Sequence, residues 1–308
     1  MGRNKEYLAV TAGIFVAIIF GFSFMVTSQA LETISPFHLL GYRFLIAALL
    51  LTILNFLGII KLNYQNKKIY SLILLSFFQP VAYFIFETIG IKLTSSSQAG
   101  MMVALIPISV TIFAAIFLDE KPNFKQLLFI IFSVLGVAFI MTMSGSLDVE
   151  VNIVGLLLLL AAVIAAGIYN ILSRKSSLTF TSIEITYIMM WIGAIVFNLV
   201  SVIQHLHQGE ILNYFNPLFK RDVLVAVLYL GFLSSVGAFF MINYTLSKLE
   251  ASRAAVFGNL TPIIAVIAGV FFRGENIYWF QYLGGLMILV GVWGSNYYGE
   301  YKELKKAK

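Results

Sequence analysis

The chain has no cysteine, three histidines and little charge: Asp, Glu, Lys and Arg together make up 11% of its 308 residues. Without cysteine there is no disulfide, no thiolate metal site and no cysteine nucleophile. The histidines are His38, His205 and His207, and the last two read as an exposed pair in one polar loop. No H-E-x-x-H and no G-x-x-x-x-G-K-[ST] occurs. Outside the connection that holds Asp222, the aspartates are Asp119 and Asp148, both at predicted helix ends. A metalloprotease helix, a P-loop nucleotide site and an intramembrane aspartyl pair are thereby excluded. The expectation is a non-enzyme with no cofactor and no metal.

What fills the chain is hydrocarbon. Hydrophobic residues make up 60%, with a mean hydropathy of +0.94, against about 45–50% apolar and about 25% charged in a soluble domain. A chain of this size has no core large enough to hide so much apolar surface from water. The expected solvent is lipid. A spanning helix needs roughly 20 apolar residues, because about 30 Å of hydrocarbon is crossed at about 1.5 Å per residue. Stretches of that kind fall near 7–29, 36–60, 69–91, 96–118, 124–144, 152–172, 181–204, 222–246, 251–272 and 277–298. The predicted fold class is an all-α membrane protein of ten transmembrane helices. The first stretch carries no A-x-A-like cleavage site and reads as a retained helix.

The twenty basic residues sort by loop. With a cytoplasmic N-terminus, fifteen face inward: Arg3, Lys5, Lys61, Lys67, Lys68, Lys121, Lys125, Arg174, Lys175, Lys248, Arg253, Lys302, Lys305, Lys306 and Lys308. Four face outward, Lys92, Lys220, Arg221 and Arg273, and Arg43 is left inside a helix. This asymmetry predicts both termini on the cytoplasmic side of the cell membrane. It accounts for the net charge of +6 without invoking nucleic acid.

The sequence also repeats. Shifted by 155 residues, Ser97 to Val137 aligns without a gap on Ser252 to Val292, with 12 of 41 positions identical. Pro107 with Pro262, Glu120 with Glu275, Gln126 with Gln281 and Gly136 with Gly291 exceed what an apolar composition supplies by chance. The expected units are 1–147 and 148–300, each of five helices, followed by a basic cytoplasmic tail at 301–308. Five is odd, so the second unit is inverted relative to the first, a design that places a substrate site near the midplane between the repeats.

These residues resemble the EamA-type branch of the drug/metabolite transporter superfamily. The likeness runs through Arg43-Phe-Leu-Ile-Ala-Ala-Leu, Leu105-Ile-Pro107 and Phe117-Leu-Asp-Glu120 in the first half. In the second half it runs through Asn243-Tyr244, Asn259-Leu-Thr-Pro262, Gly274-Glu275 and Gly284-Gly285 to Gly291. The resemblance implies a transporter, often an exporter of amino acids, other metabolites or toxic cations. The chain then acts on a small molecule in the lipid bilayer, driven by an ion gradient (a proton among the candidates) or by another solute, as a monomer or homodimer. A channel or facilitator pore and a non-transporting receptor or scaffold are the competing classes.

Polar groups in the apolar stretches mark the candidate site, since ionisable side chains in a membrane are costly and face a cavity or a partner. Arg43 and Glu87 lie in the same leaflet, as a charge pair that either binds substrate or fixes packing. Tyr83 shares a helical face with Glu87 at i, i+4. Asn243, offset by 156 from Glu87, and its neighbour Tyr244 suggest an opposite gate, and Trp191 a surface on which a cationic or aromatic substrate stacks. Pro107 and Pro262 are expected to bend the helices that line the cavity. Glu184 reads as an interfacial carboxylate. Glu120 and Glu275 read as favouring the N-termini of the helices that follow them.

Overall fold

The computed structural model describes residues 3–117, 123–146, 152–249 and 256–306. All its regular elements are helical, with no strand among the described residues. In chain order they are α1 (Arg3–Ala30), α2 (Pro36–Phe56), α3 (Tyr70–Leu93), α4 (Ser96–Phe117), α5 (Phe124–Ser146), α6 (Ile153–Ser176), α7 (Ser182–Gln208), α8 (Arg221–Lys248), α9 (Leu260–Arg273) and α10 (Trp279–Lys306). Among the described residues, α1, α2, α3, α4, α6, α7 and α8 are long and apolar enough to cross a membrane. Shorter apolar stretches are Phe124–Ile140 within α5 and the whole of α9.

The surface is apolar and the interior holds the polar groups. Phe15, Phe56, Leu199, Phe271 and Trp293 are exposed, while Arg43, Gln79, Glu87, Asn170 and Asn243 are buried. Water does not tolerate such a surface and lipid does. The chain is an integral membrane protein.

Helix packing follows a pattern that the repeat offset organises. α2 packs on α7, α4 on α9 and α5 on α10; α1 packs on α8 and α9, α6 on α3 and α4; α2 meets α8 and α3 meets α7. Exchanging each helix of the first five with the one five places later turns this set of pairs into itself.

Three helices are interrupted, and a fourth starts from a 3-10 turn. α3 widens into a π turn at Phe77–Ala82, where Gln79 leaves helical backbone altogether (φ −148°, ψ 117°) ahead of Pro80. α8 does the same over Tyr229–Ala238. Shifted by 155, the α3 turn falls on 232–237, inside the α8 turn. α4 breaks between Val103 and Ile106, and α9 is entered through a 3-10 turn at Val256–Asn259. Pro107 and Pro262 therefore sit in the first turn of a new helical segment, where the missing N–H costs nothing. The sequence reading had them bending a continuous helix.

Three sequence readings are corrected. Glu184 is no free interfacial carboxylate: it is buried, pairs with Lys67 at 2.8 Å, accepts from the Asn63 amide at 2.9 Å, and completes a capping box with Thr181. It ties the α2–α3 loop to the start of α7. Glu275 serves a helix other than the one that follows it. Its oxygens accept from the Ser96 amide (3.1 Å), the Ser96 hydroxyl (2.5 Å) and the Ser97 amide (2.9 Å), capping α4 from the far half of the chain. Glu120 lies outside the described residues. His205 and His207 belong to the last turn of α7, which ends in a left-handed cap at Gly209 (φ 71°). The His205 ring lies 4.4 Å from that of His38.

Candidate functional site

A cavity lies where the interrupted helices meet. Its walls take Gln79, Tyr83, Phe84 and Glu87 from α3, Arg43 from α2, Val103 and Ile106 from either side of the α4 break, and Ile242 and Thr245 from α8. Phe257 and Gly258 from the turn before α9, Thr261 from α9, and residues of α1 and α6 including Ser23 and Asn170 complete them. It offers about 80 Å³ to the centres of water-sized molecules, against roughly 10–15 Å³ for one water. That is room for a few waters or a small part of a ligand. Irregular backbone at membrane depth is tolerated where it lines such a cavity, and paired helix interruptions in transporters point to the binding region.

Arg43 is fixed. Its Nε donates to the Ser235 hydroxyl at 2.8 Å and an Nη to the Ser234 hydroxyl at 2.7 Å, both on the π turn of α8. Its guanidinium lies 4.2 Å from the centre of the Phe84 ring and 5.5 Å from that of Phe44, a cation–π arrangement strengthened by desolvation.

Glu87 is different. Buried at 4% exposure, it accepts from the Tyr83 hydroxyl at 3.3 Å through Oε1, and Oε2 has no hydrogen-bond partner. No ion pair within 4.0 Å joins it to Arg43 among the described residues. The two are not in ion-pair contact, and the guanidinium donates instead to the serines of α8. A buried carboxylate oxygen without a donor is costly unless a cation or a proton arrives to serve it.

The structure brings Arg43, Tyr83 and Glu87 together and leaves Trp191, Asn243 and Tyr244 outside the cavity wall. Trp191 donates from Nε1 to Thr52 at 3.1 Å within the α2–α7 packing. Asn243 is fully buried and saturated: Tyr169 and Ser173 donate to its Oδ1 at 2.9 and 2.7 Å, and its Nδ2 donates to Thr186 at 3.0 Å. This network joins α6, α7 and α8, and no acceptor or donor is left over for a ligand. Tyr244 lines a separate groove beside the α6–α7 loop. Pro107 and Pro262 adjoin the wall residues Ile106 and Thr261. Sequence reasoning missed Ser23, Gln79, Asn170, Thr245 and Thr261. Of these, Gln79 carried a legible signal, a polar residue followed by proline in mid-span.

A profile of the EamA-like transporter family matches residues 7–142 and again 153–297. The chain is 37% identical over 297 residues to the uncharacterized transporter YcxC of Bacillus subtilis, covering 96% of this chain and 95% of that protein. It is 28% identical over 275 residues to an uncharacterized transporter of Archaeoglobus fulgidus, covering 89% and 93%. A solved crystal structure superimposes over 96% of this chain and 98% of its own with a TM-score of 0.66 at 16% identity, a likeness of fold alone. By the matching profile and by its relatives, the chain is a membrane transporter protein of the EamA-like transporter family.

Proposed function

We propose that the protein is a secondary transporter that moves a small amine-bearing organic molecule, an amino acid or organic cation, by alternating access, in the outward direction. The observation that carries this reading is Glu87, an acidic residue of the cavity wall whose buried Oε2 has no hydrogen-bond partner. Arg43 lines the same cavity but is held by Ser234 and Ser235. These bonds use two of the five guanidinium N–H donors, whereas Glu87 is the one acidic side chain on the wall, and its complement is an ammonium. Phe84 and Phe257 supply the apolar surface for the rest of the molecule. A proton is the natural competitor, since either cation discharges the same site.

Alternating access draws support from the main pairs of packed helices, which survive exchange of the two halves, and from interruptions at repeat-equivalent places in α3 and α8. Two halves of like packing and inverted orientation exchange conformations at nearly equal energy. Ten spans, with the N- and C-termini in the cytoplasm, complete this reading.

The test is ligand-induced thermal stabilisation of the purified protein. Amines should raise the melting temperature in a concentration-dependent way, and their neutral isosteres should not. Stabilisation by carboxylates alone would assign the site to Arg43 and overturn the amine reading.

A further inference from the structure

We propose that a second cavity, on the membrane-facing side of α4, α9 and α10, holds an acyl chain of a bilayer phospholipid. It lies away from the Glu87 site and offers about 260 Å³ to the centres of water-sized molecules, more than the central cavity does.

Its floor is α4 at its break and just before it, at Ala104 and Met101, both buried, and its wall includes Pro262 at the start of α9. Its rim is open. Ile267 is 46% exposed and Leu286 58% exposed, so the mouth faces the medium that bathes the apolar surface of the protein. That medium is hydrocarbon.

The chemistry of the walls decides the occupant. Every lining side chain is aliphatic or thioether apart from Gln281 and Tyr282, and the Gln281 carbonyl already accepts from the Tyr278 amide at 2.9 Å. Water is poorly held in such a space, and empty space forfeits the dispersion contacts of every atom around it. A polar substrate finds nothing here to orient it. A lipid headgroup finds no charge: no Asp, Glu, Lys or Arg lines the cavity. A slender apolar chain satisfies all of these conditions, and the surrounding bilayer supplies it at high concentration. Once seated, it lies against both the α4 break and the α9 proline, so its presence bears on the same interruptions that border the central cavity.

The experiment uses the full chain in nanodiscs of phosphatidylcholine with a diazirine midway along one acyl chain, with photo-adducts mapped by mass spectrometry. Adducts on the peptides lining the cavity should exceed severalfold those on the exposed face of α7 around Ile195 and Leu199. Gly285→Leu fills the cavity. The nearest atom to an added Cβ there is the Met101 sulfur at 3.2 Å, the end of a flexible side chain. This variant should reduce the cavity adducts severalfold and leave those on α7 unchanged. If Gly285→Leu does not assemble, Ile267→Trp closes the mouth from its exposed side. A lipid with its diazirine in the headgroup should not label the cavity. Equal adduct density on both faces, cavity adducts that persist in both variants, or equal labelling by the headgroup probe would each overturn the assignment.

Discussion

Gly136 on α5 and Gly291 on α10 occupy one crossing from opposite sides. A Cβ on Gly136 would lie 2.8 Å from the Gly284 carbonyl oxygen, and a Cβ on Gly291 would lie 2.6 Å from the Phe129 carbonyl oxygen. The two glycines are 155 residues apart, and so are the two carbonyls. One close backbone approach is thus built twice. Small residues permit such approaches between helices in lipid, where packing itself supplies the attraction. Gly136→Ala and Gly291→Ala should each destabilise the protein by about 1–3 kcal/mol, the usual cost of overpacking, and by similar amounts. Gly285→Ala, one position beyond Gly284, should be nearly silent. Thermal unfolding of the three variants in one detergent checks the contrast.

The Glu184 clamp predicts a local effect. Glu184→Ala removes the ion pair to Lys67, the bond from the Asn63 amide and half of the capping box. Together these should lower stability by about 2–3 kcal/mol and free the α2–α3 loop. Limited proteolysis between Leu57 and Ile69 should accelerate in this variant. Lys67→Met, which leaves the cap intact, should have the smaller effect.

Glu275 gives a pH dependence with a definite sign. Burial alone would raise its pKa, but the hydrogen bonds from the Ser96 hydroxyl and from the Ser96 and Ser97 amides outweigh burial and hold the carboxyl below its ordinary value. A carboxyl depressed in the folded state contributes stability that is fully present above its unfolded pKa and is lost as pH falls through the folded one. Glu275→Gln should therefore melt below the parent at pH 7, and the gap should close as the medium is acidified past the usual carboxylate range. A gap independent of pH would contradict the clamp.

The distribution of basic residues predicts an orientation that can be tested. Since the chain has no cysteine, one introduced at Gln65 or at Asn216, both exposed, is the sole target of an impermeant thiol reagent. In intact cells the cysteine at 216 should be labelled and the one at 65 protected.

Much of the helical architecture was legible because lipid imposes a simple rule, apolar runs of spanning length, and because Pro, Gln and Gly recur at one offset. The matched glutamines explain themselves in three dimensions. Gln126 exchanges hydrogen bonds with Asn123, and Gln281 accepts from the Tyr278 amide, so each caps the start of its helix. What could not be read were relations set by tertiary packing. The π turns of α3 and α8 depend on what the helices press against. The serines that occupy Arg43 lie 191 and 192 residues away, and no local pattern joins them. Asn243 matched Glu87 by offset, yet three hydroxyls on α6 and α7 satisfy it, whereas Glu87 is left with a free oxygen.

That free oxygen is where the account is most exposed. Counterflow of a radiolabelled amine, identified by the stabilisation screen, should be measured in proteoliposomes for the parent, for Glu87→Gln, and for a double variant that adds Arg43→Gln. Glu87→Gln keeps the helix and the Tyr83 neighbour but removes the charge. It should abolish saturable counterflow while the protein still folds and inserts, and the double variant should remain inactive. Normal counterflow in the double variant would show that Glu87 serves only to balance Arg43, and would contradict the assignment of the carboxylate as the substrate group.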